Sequence, residues 1–133
     1  ILIIWKGLGW YIVYILAALQ SVETVYYEAA KIDGANSLQT IWHVTIPSIR
    51  PILLFLTILG TISGLQIFTE PFILFGGSLG GPESSVLTPA MYIYAQGFRY
   101  LKFGNASAMA VVLGVIIVVL SAVQFRFFGN REE

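Results

Sequence analysis

Cysteine is absent from the 133-residue chain, which removes disulfides, thiolate catalysis and Cys-ligated metal sites together. Charge is scarce: 11% of residues are Asp, Glu, Lys or Arg, against about 25% in an ordinary soluble domain. Seven basic and seven acidic residues cancel, so no overall field draws in nucleic acid. His43 is the one histidine, and one imidazole builds neither a His-based metal site nor a catalytic triad. "GGSLGGP" lacks the Lys-Ser/Thr of a phosphate loop and reads as a turn. No carboxylate pair sits in a glycosidase-like context. Catalysis within these residues is not expected.

What fills the space is apolar surface: 57% of residues are hydrophobic, and the mean hydropathy is +0.83. Such a chain takes a bilayer as solvent for much of its length. The sequence starts at Ile1 inside an apolar run, with neither an initiator Met nor a signal peptide, so it is expected to be the C-terminal part of a longer protein.

The expected fold is an all-α membrane unit with three transmembrane helices. Residues 1–21 form the first span, residues 50–68 the second and residues 104–128 the third. Residues 22–48 make a polar loop, residues 69–103 a Gly/Pro turn followed by an aromatic interfacial helix, and residues 129–133 a tail. Three spans place the 22–48 loop and the tail on one side. Lys31, Arg50, Arg126 and Arg131 lie there, against Arg99 and Lys102 opposite, which by the positive-inside rule makes the loop cytoplasmic.

Within "YEAAKIDGANSLQTIWHVTIP" the pattern predicts two short helices around a turn. Val22, Val25, Ala29 and Ile32 form one apolar stripe. Gly34 is the expected stop, because the residue after a helix often needs positive φ. Asn36 followed by Gln39 is a capping-box spacing for a second helix, with Leu38, Ile41, Trp42 and Thr45 as its inner face. Pro47 is expected to end it. A DNA-binding reading fails on charge, since Lys31 stands alone among Glu23, Glu28 and Asp33. The pattern alone also admits an inert amphipathic connector on the membrane surface, although such helices usually carry a Lys/Arg-rich face, which this one lacks.

These residues resemble the EAA loop of ABC importer permeases: Glu-Ala-Ala, three residues, Gly, nine residues, an aliphatic, any residue, Leu and Pro. Glu28, Ala29, Ala30 and Gly34 match, and Val44, Ile46 and Pro47 fill the later positions. The flanks "WKGLGWYIVYILAALQSV" and "GFRYLKFGNASAMAVVL" are similar to the carbohydrate-uptake branch of the maltose and glycerol-3-phosphate type. Glu23 stands where that branch usually has Pro. The resemblance implies a type I importer permease subunit of a prokaryotic cytoplasmic membrane. It implies no catalytic residue and no cofactor.

By the same resemblance, the loop docks on a cytoplasmic ATPase. Glu28 offers a charge-assisted bond, Ala29 and Ala30 permit close approach, and Gly34, Ile46 and Pro47 shape the loop. The implied partners are ATPase subunits, a second homologous permease, an extracytoplasmic solute-binding protein, a sugar and membrane lipid. Gly7, Trp10, Tyr11 and Gln66 match solute-contact positions, where an aromatic face can stack on a sugar ring. The same residues also suit plain helix packing. A phosphorylated solute would want several cations in the spans, and Lys6 alone is present. Lys6 is expected to reach the outer interface or to pair with Glu70. Rival readings are a non-transporting scaffold or sensor, or a permease for glycerol phosphate or a polyol.

Overall fold

The computed structural model describes residues 2–129. Ile1 and residues 130–133, which hold Arg131 and most of the expected tail, lie outside the described residues. The chain divides into two units, residues 1–57 and residues 58–133. Among the described residues every regular element is helical.

In the first unit, α1 spans Leu2–Gln20, with no proline to interrupt it. Its nineteen residues rise about 28 Å, close to one hydrocarbon core. Large apolar side chains point outward from it, with Trp5 at 78% and Ile4 at 68% exposure. That is the arrangement expected where lipid or another helix covers the surface. The chain leaves α1 at Ser21, whose hydroxyl donates to the Ala18 carbonyl at 2.7 Å. Glu23 is extended and stands at the N-cap of α2, Thr24–Ile32, without a side-chain cap bond.

Gly34 closes α2 at φ +75°. The Gly34 N–H donates to the Lys31 carbonyl at 3.1 Å and the Ala35 N–H to the Ala30 carbonyl at 2.9 Å, which together make a Schellman turn. Asn36 then opens α3, Ser37–Ser48. The Gln39 N–H donates to Asn36 Oδ1 at 2.9 Å, and the Asn36 N–H donates to Gln39 Oε1 at 2.8 Å. The capping box forms as its spacing predicts.

Pro47 does not end α3. The helix widens into a π-turn over Ile41–Thr45, in which the Ile46 N–H reaches back to the Ile41 carbonyl. α-Helical geometry resumes at Ile46, and Pro47 falls in that first turn, where no donor is required. Ser48 Oγ donates to the Val44 carbonyl at 2.7 Å and satisfies it. The break comes at Ile49, after which α4, Arg50–Leu65, departs at 68°.

The expected inner face of α3 is also displaced. Leu38, Ile41 and Trp42 are exposed, and Thr45 is half-buried. The π-turn adds a residue to one turn, so a spacing read at 3.6 residues loses its register there. The α2 stripe likewise faces out at Val25, Ala29 and Ile32.

In the second unit, the closing half of α4 stops at Leu65, short of the expected residue 68. The Ile67 carbonyl is taken at 2.6 Å by the Thr88 hydroxyl, and Phe68 leaves helical geometry. The chain resumes in α5, Thr69–Leu74, and passes through a glycine-rich turn. It then enters α6, Pro89–Tyr94, which continues as a second π-turn over Ala95–Arg99. Thr88 also N-caps α6, accepting from the Met91 N–H at 3.2 Å, so one hydroxyl straps α6 to the end of α4.

After a reversal at Leu101, φ +56°, α7 runs Phe103–Gly129. Gly97 permits close packing on α7, because a Cβ there would lie 3.3 Å from the Ala106 Cβ. Gln124 Nε2 donates to Thr61 Oγ1 at 2.6 Å, tying α7 to α4. By length and composition α1 and α7 can each cross a membrane, and bent α3–α4 counts as a third span only if the pair is taken as one.

Candidate functional site

The α2–α3 hairpin assembles its residues from local rules. The Schellman turn and the capping box fix the corner, and the Tyr27 hydroxyl lies 3.3 Å from Thr45 Oγ1, bridging the two helices near their far ends. No local pattern signals that pair, which spans eighteen positions. Glu28 and Ala29 are exposed, Ala30 and Ile46 are half-buried, and Gly34 and Pro47 are exposed. Glu28 makes no ion pair with Lys31 among the described residues, so its carboxylate is open to a partner. His43 is exposed and its Nδ1 lies 3.0 Å from the Gln39 carbonyl within its own helix.

Around this corner Ile32 is 86% exposed, Leu38 68% and Trp42 63%. Large apolar groups are thus held outward on a hydrogen-bonded corner. Among the described residues no three metal-ligating side chains gather.

On α1, Gly7 and Tyr11 are half-buried and adjoin one another, since a Cβ at Gly7 would lie 3.4 Å from the Tyr11 ring. Trp10 is exposed and meets Tyr14 edge-on at 5.4 Å, and Tyr14 in turn meets Phe55 at 6.5 Å. Gly7, Trp10 and Tyr11 thus share one stretch of α1. Gln66 belongs to the other unit, exposed just past the end of α4, with its N–H on the Ile62 carbonyl at 3.2 Å.

Sequence reasoning passed over Thr88, although a threonine before Pro89 is a helix-start signal. It also passed over Thr61 with Gln124, whose separation of 63 positions leaves no local trace.

Comparison with known proteins bears on all of these elements. The chain is 41% identical to the lactose transport system permease protein LacF of Rhizobium radiobacter, over all of this chain and 44% of that protein. It is 39% identical to the arabinooligosaccharides transport system permease protein AraP of Halalkalibacterium halodurans, over 97% of this chain and 40% of that one. Identity to the sn-glycerol-3-phosphate transport system permease protein UgpA of Agrobacterium fabrum is 33%, over 96% and 43%. The chain therefore spans less than half the length of these relatives. Its fold matches a chain of a bacterial ABC transporter involved in import of the acidic polysaccharide alginate, with TM-score 0.77 and 25% identity over 98% of this chain and 45% of that chain. With residues 1–131 matched by the model of that family, the chain belongs to the binding-protein-dependent transport system inner membrane components.

Proposed function

We propose that the chain is part of a permease subunit of an ATP-driven importer that moves a sugar or related solute by alternating access. The observation that carries this reading is the α2–α3 corner. It is fixed by a Schellman turn and a reciprocal capping box, presents Ile32, Leu38 and Trp42 outward, and runs through Pro47 into an apolar helix. A push on such a corner is passed along the backbone of a continuous helix to the 68° bend, and so reaches α4. In this reading residues 22–48 are cytoplasmic and dock on an ABC ATPase through Glu28, Ala29, Ala30, Gly34, Ile46 and Pro47.

The spans are α1, α4 entered through bent α3, and α7. A second homologous permease completes the pathway, and an extracytoplasmic binding protein delivers the solute. Gly7, Trp10, Tyr11 and Gln66 contribute to the solute path. A neutral sugar is favoured over a phosphorylated solute, because outside the first and last turns α1, α4 and α7 carry only Lys6 as a cation. The permease relatives for lactose and arabinooligosaccharides support the same choice.

The absence of cysteine provides the test. Ala29→Cys in the full-length parent, paired with single cysteines across the ATPase surface, should give a cross-link whose yield changes with ATP. An intact, transporting complex that never cross-links from Ala29 or Ser37 would make the corner a mere connector.

A further inference from the structure

The second unit carries two openings that share a wall. The first is a groove of about 470 Å³ where α6 and its π-turn meet the start of α7, lined by Phe68, Ile93, Phe103, Ala106 and Ala110 among others. From Phe103 to Ala110 it follows α7 over eight residues, about 10 Å along the helix axis. The second opening, about 540 Å³, is lined by Arg99 and by the turn Gly76, Gly77, Ser78 and Leu79. Tyr94 and Phe98 line both, their rings stacked at 5.1 Å.

Charge completes the pattern. Arg99 and Lys102 are the only cations between Arg50 and Arg126, and neither makes an ion pair among the described residues. Lys102 immediately precedes Phe103, where the apolar stretch of α7 begins, and Arg99 stands four residues before it. At the end of a membrane-length apolar helix headgroups are the expected surroundings, and Tyr94 and Tyr100 supply the aromatic side chains typical of them.

An apolar groove running into the bilayer beside a basic opening at its surface has the form of an amphiphile. We infer that this surface holds one anionic glycerophospholipid. An acyl chain lies along Phe103, Ala106 and Ala110, and the phosphate meets the Arg99 guanidinium, with Lys102 as a second cation. A guanidinium pairs two of its N–H groups with phosphate oxygens, which fixes the headgroup more tightly than charge alone. A helix of another subunit could fill the groove but would leave the basic opening unmatched. A free phosphate could use Arg99 but would leave the groove empty. The inference is independent of what the α2–α3 corner docks on.

The test uses the intact parent complex in bilayer discs containing phosphatidylglycerol with a diazirine on one acyl chain. After photolysis, labelled peptides are mapped. The label is expected within residues 103–110, at least fivefold above that from a matched phosphatidylcholine probe. Arg99→Gln should lower it about fivefold, the effect of one basic residue at a membrane surface. Ala110→Phe, at an exposed position that lines the groove, should abolish it for both probes. Equal labelling by the two probes, or labelling indifferent to Arg99→Gln, overturns the inference. So does displacement of the probe by inorganic phosphate, which would make this a free-anion site. Cross-linking of Ala110→Cys to a neighbouring subunit in place of lipid labelling overturns it as well.

Discussion

Replacing Gly34 by alanine tests whether the α2–α3 corner is held by backbone geometry. At φ +75° an L-residue meets its own carbonyl, a cost of roughly 1–2 kcal/mol. Nothing lies within 4 Å of a Cβ built at Gly34, so no collision with the rest of the described chain adds to that cost. Asparagine tolerates the left-handed region better and should recover most of it. The reporter is the Ala35 amide, whose N–H is bound to the Ala30 carbonyl at 2.9 Å and opens when the Schellman turn opens. In hydrogen exchange on the full-length protein, Gly34→Ala should speed that amide about 5- to 30-fold, the factor equivalent to about 1–2 kcal/mol. Gly34→Asn should stay within about threefold of wild type. Equal acceleration by the two variants would refute the backbone argument, because it would mean that side-chain bulk decides. No acceleration by alanine would show that the turn is not the hinge of local opening.

The Thr61–Gln124 bond can be measured with a double-mutant cycle of Thr61→Val and Gln124→Leu on full-length protein unfolded in detergent. Side-chain bonds between helices in membranes average about 0.6 and reach about 1.7 kcal/mol, and a coupling energy near zero would contradict the 2.6 Å contact. Gly97→Ala should destabilise the second unit by about 1 kcal/mol, the low end of overpacking, since the new methyl would sit 3.3 Å from the Ala106 Cβ and α7 must give by a few tenths of an ångström. Gly97→Ala should cost less in an Ala106→Gly background than in the wild type, a comparison that cancels the intrinsic cost of glycine in α7, and an equal cost in both backgrounds would place the strain elsewhere. Tyr11→Ala and Gln66→Leu should each lower solute uptake by the reconstituted complex severalfold while leaving assembly intact. A scaffold or sensor would ignore both substitutions.

Much of the hairpin was legible because its signals are local. A capping box is written in two residues three positions apart, and Asn36 with Gln39 forms one. A positive φ after a helix is written in one glycine, and Gly34 adopts it. Pro47 misled because the rule that a proline ends a helix presumes uniform α-helical pairing. The π-turn before it changes that pairing, and it is visible only in backbone geometry. The exposed stripes misled for a related reason. Periodicity says which residues share a face but not what that face meets, and on a two-helix corner there is little interior for it to meet.

Composition by itself pointed to a bilayer as solvent, since 57% hydrophobic and 11% charged residues depart from the balance of an ordinary soluble domain. The order of residues determined the apolar stretches, the polar corner and the family motif. Tertiary structure alone brought the Thr88 hydroxyl to the Ile67 carbonyl just past the end of α4, across twenty-one positions. It alone joined Thr61 to Gln124 and placed Arg99 at an opening that shares its wall with an apolar groove. Each of these depends on groups far apart in the chain meeting within a few ångströms. No local propensity encodes such a meeting, because it follows from how whole helices pack.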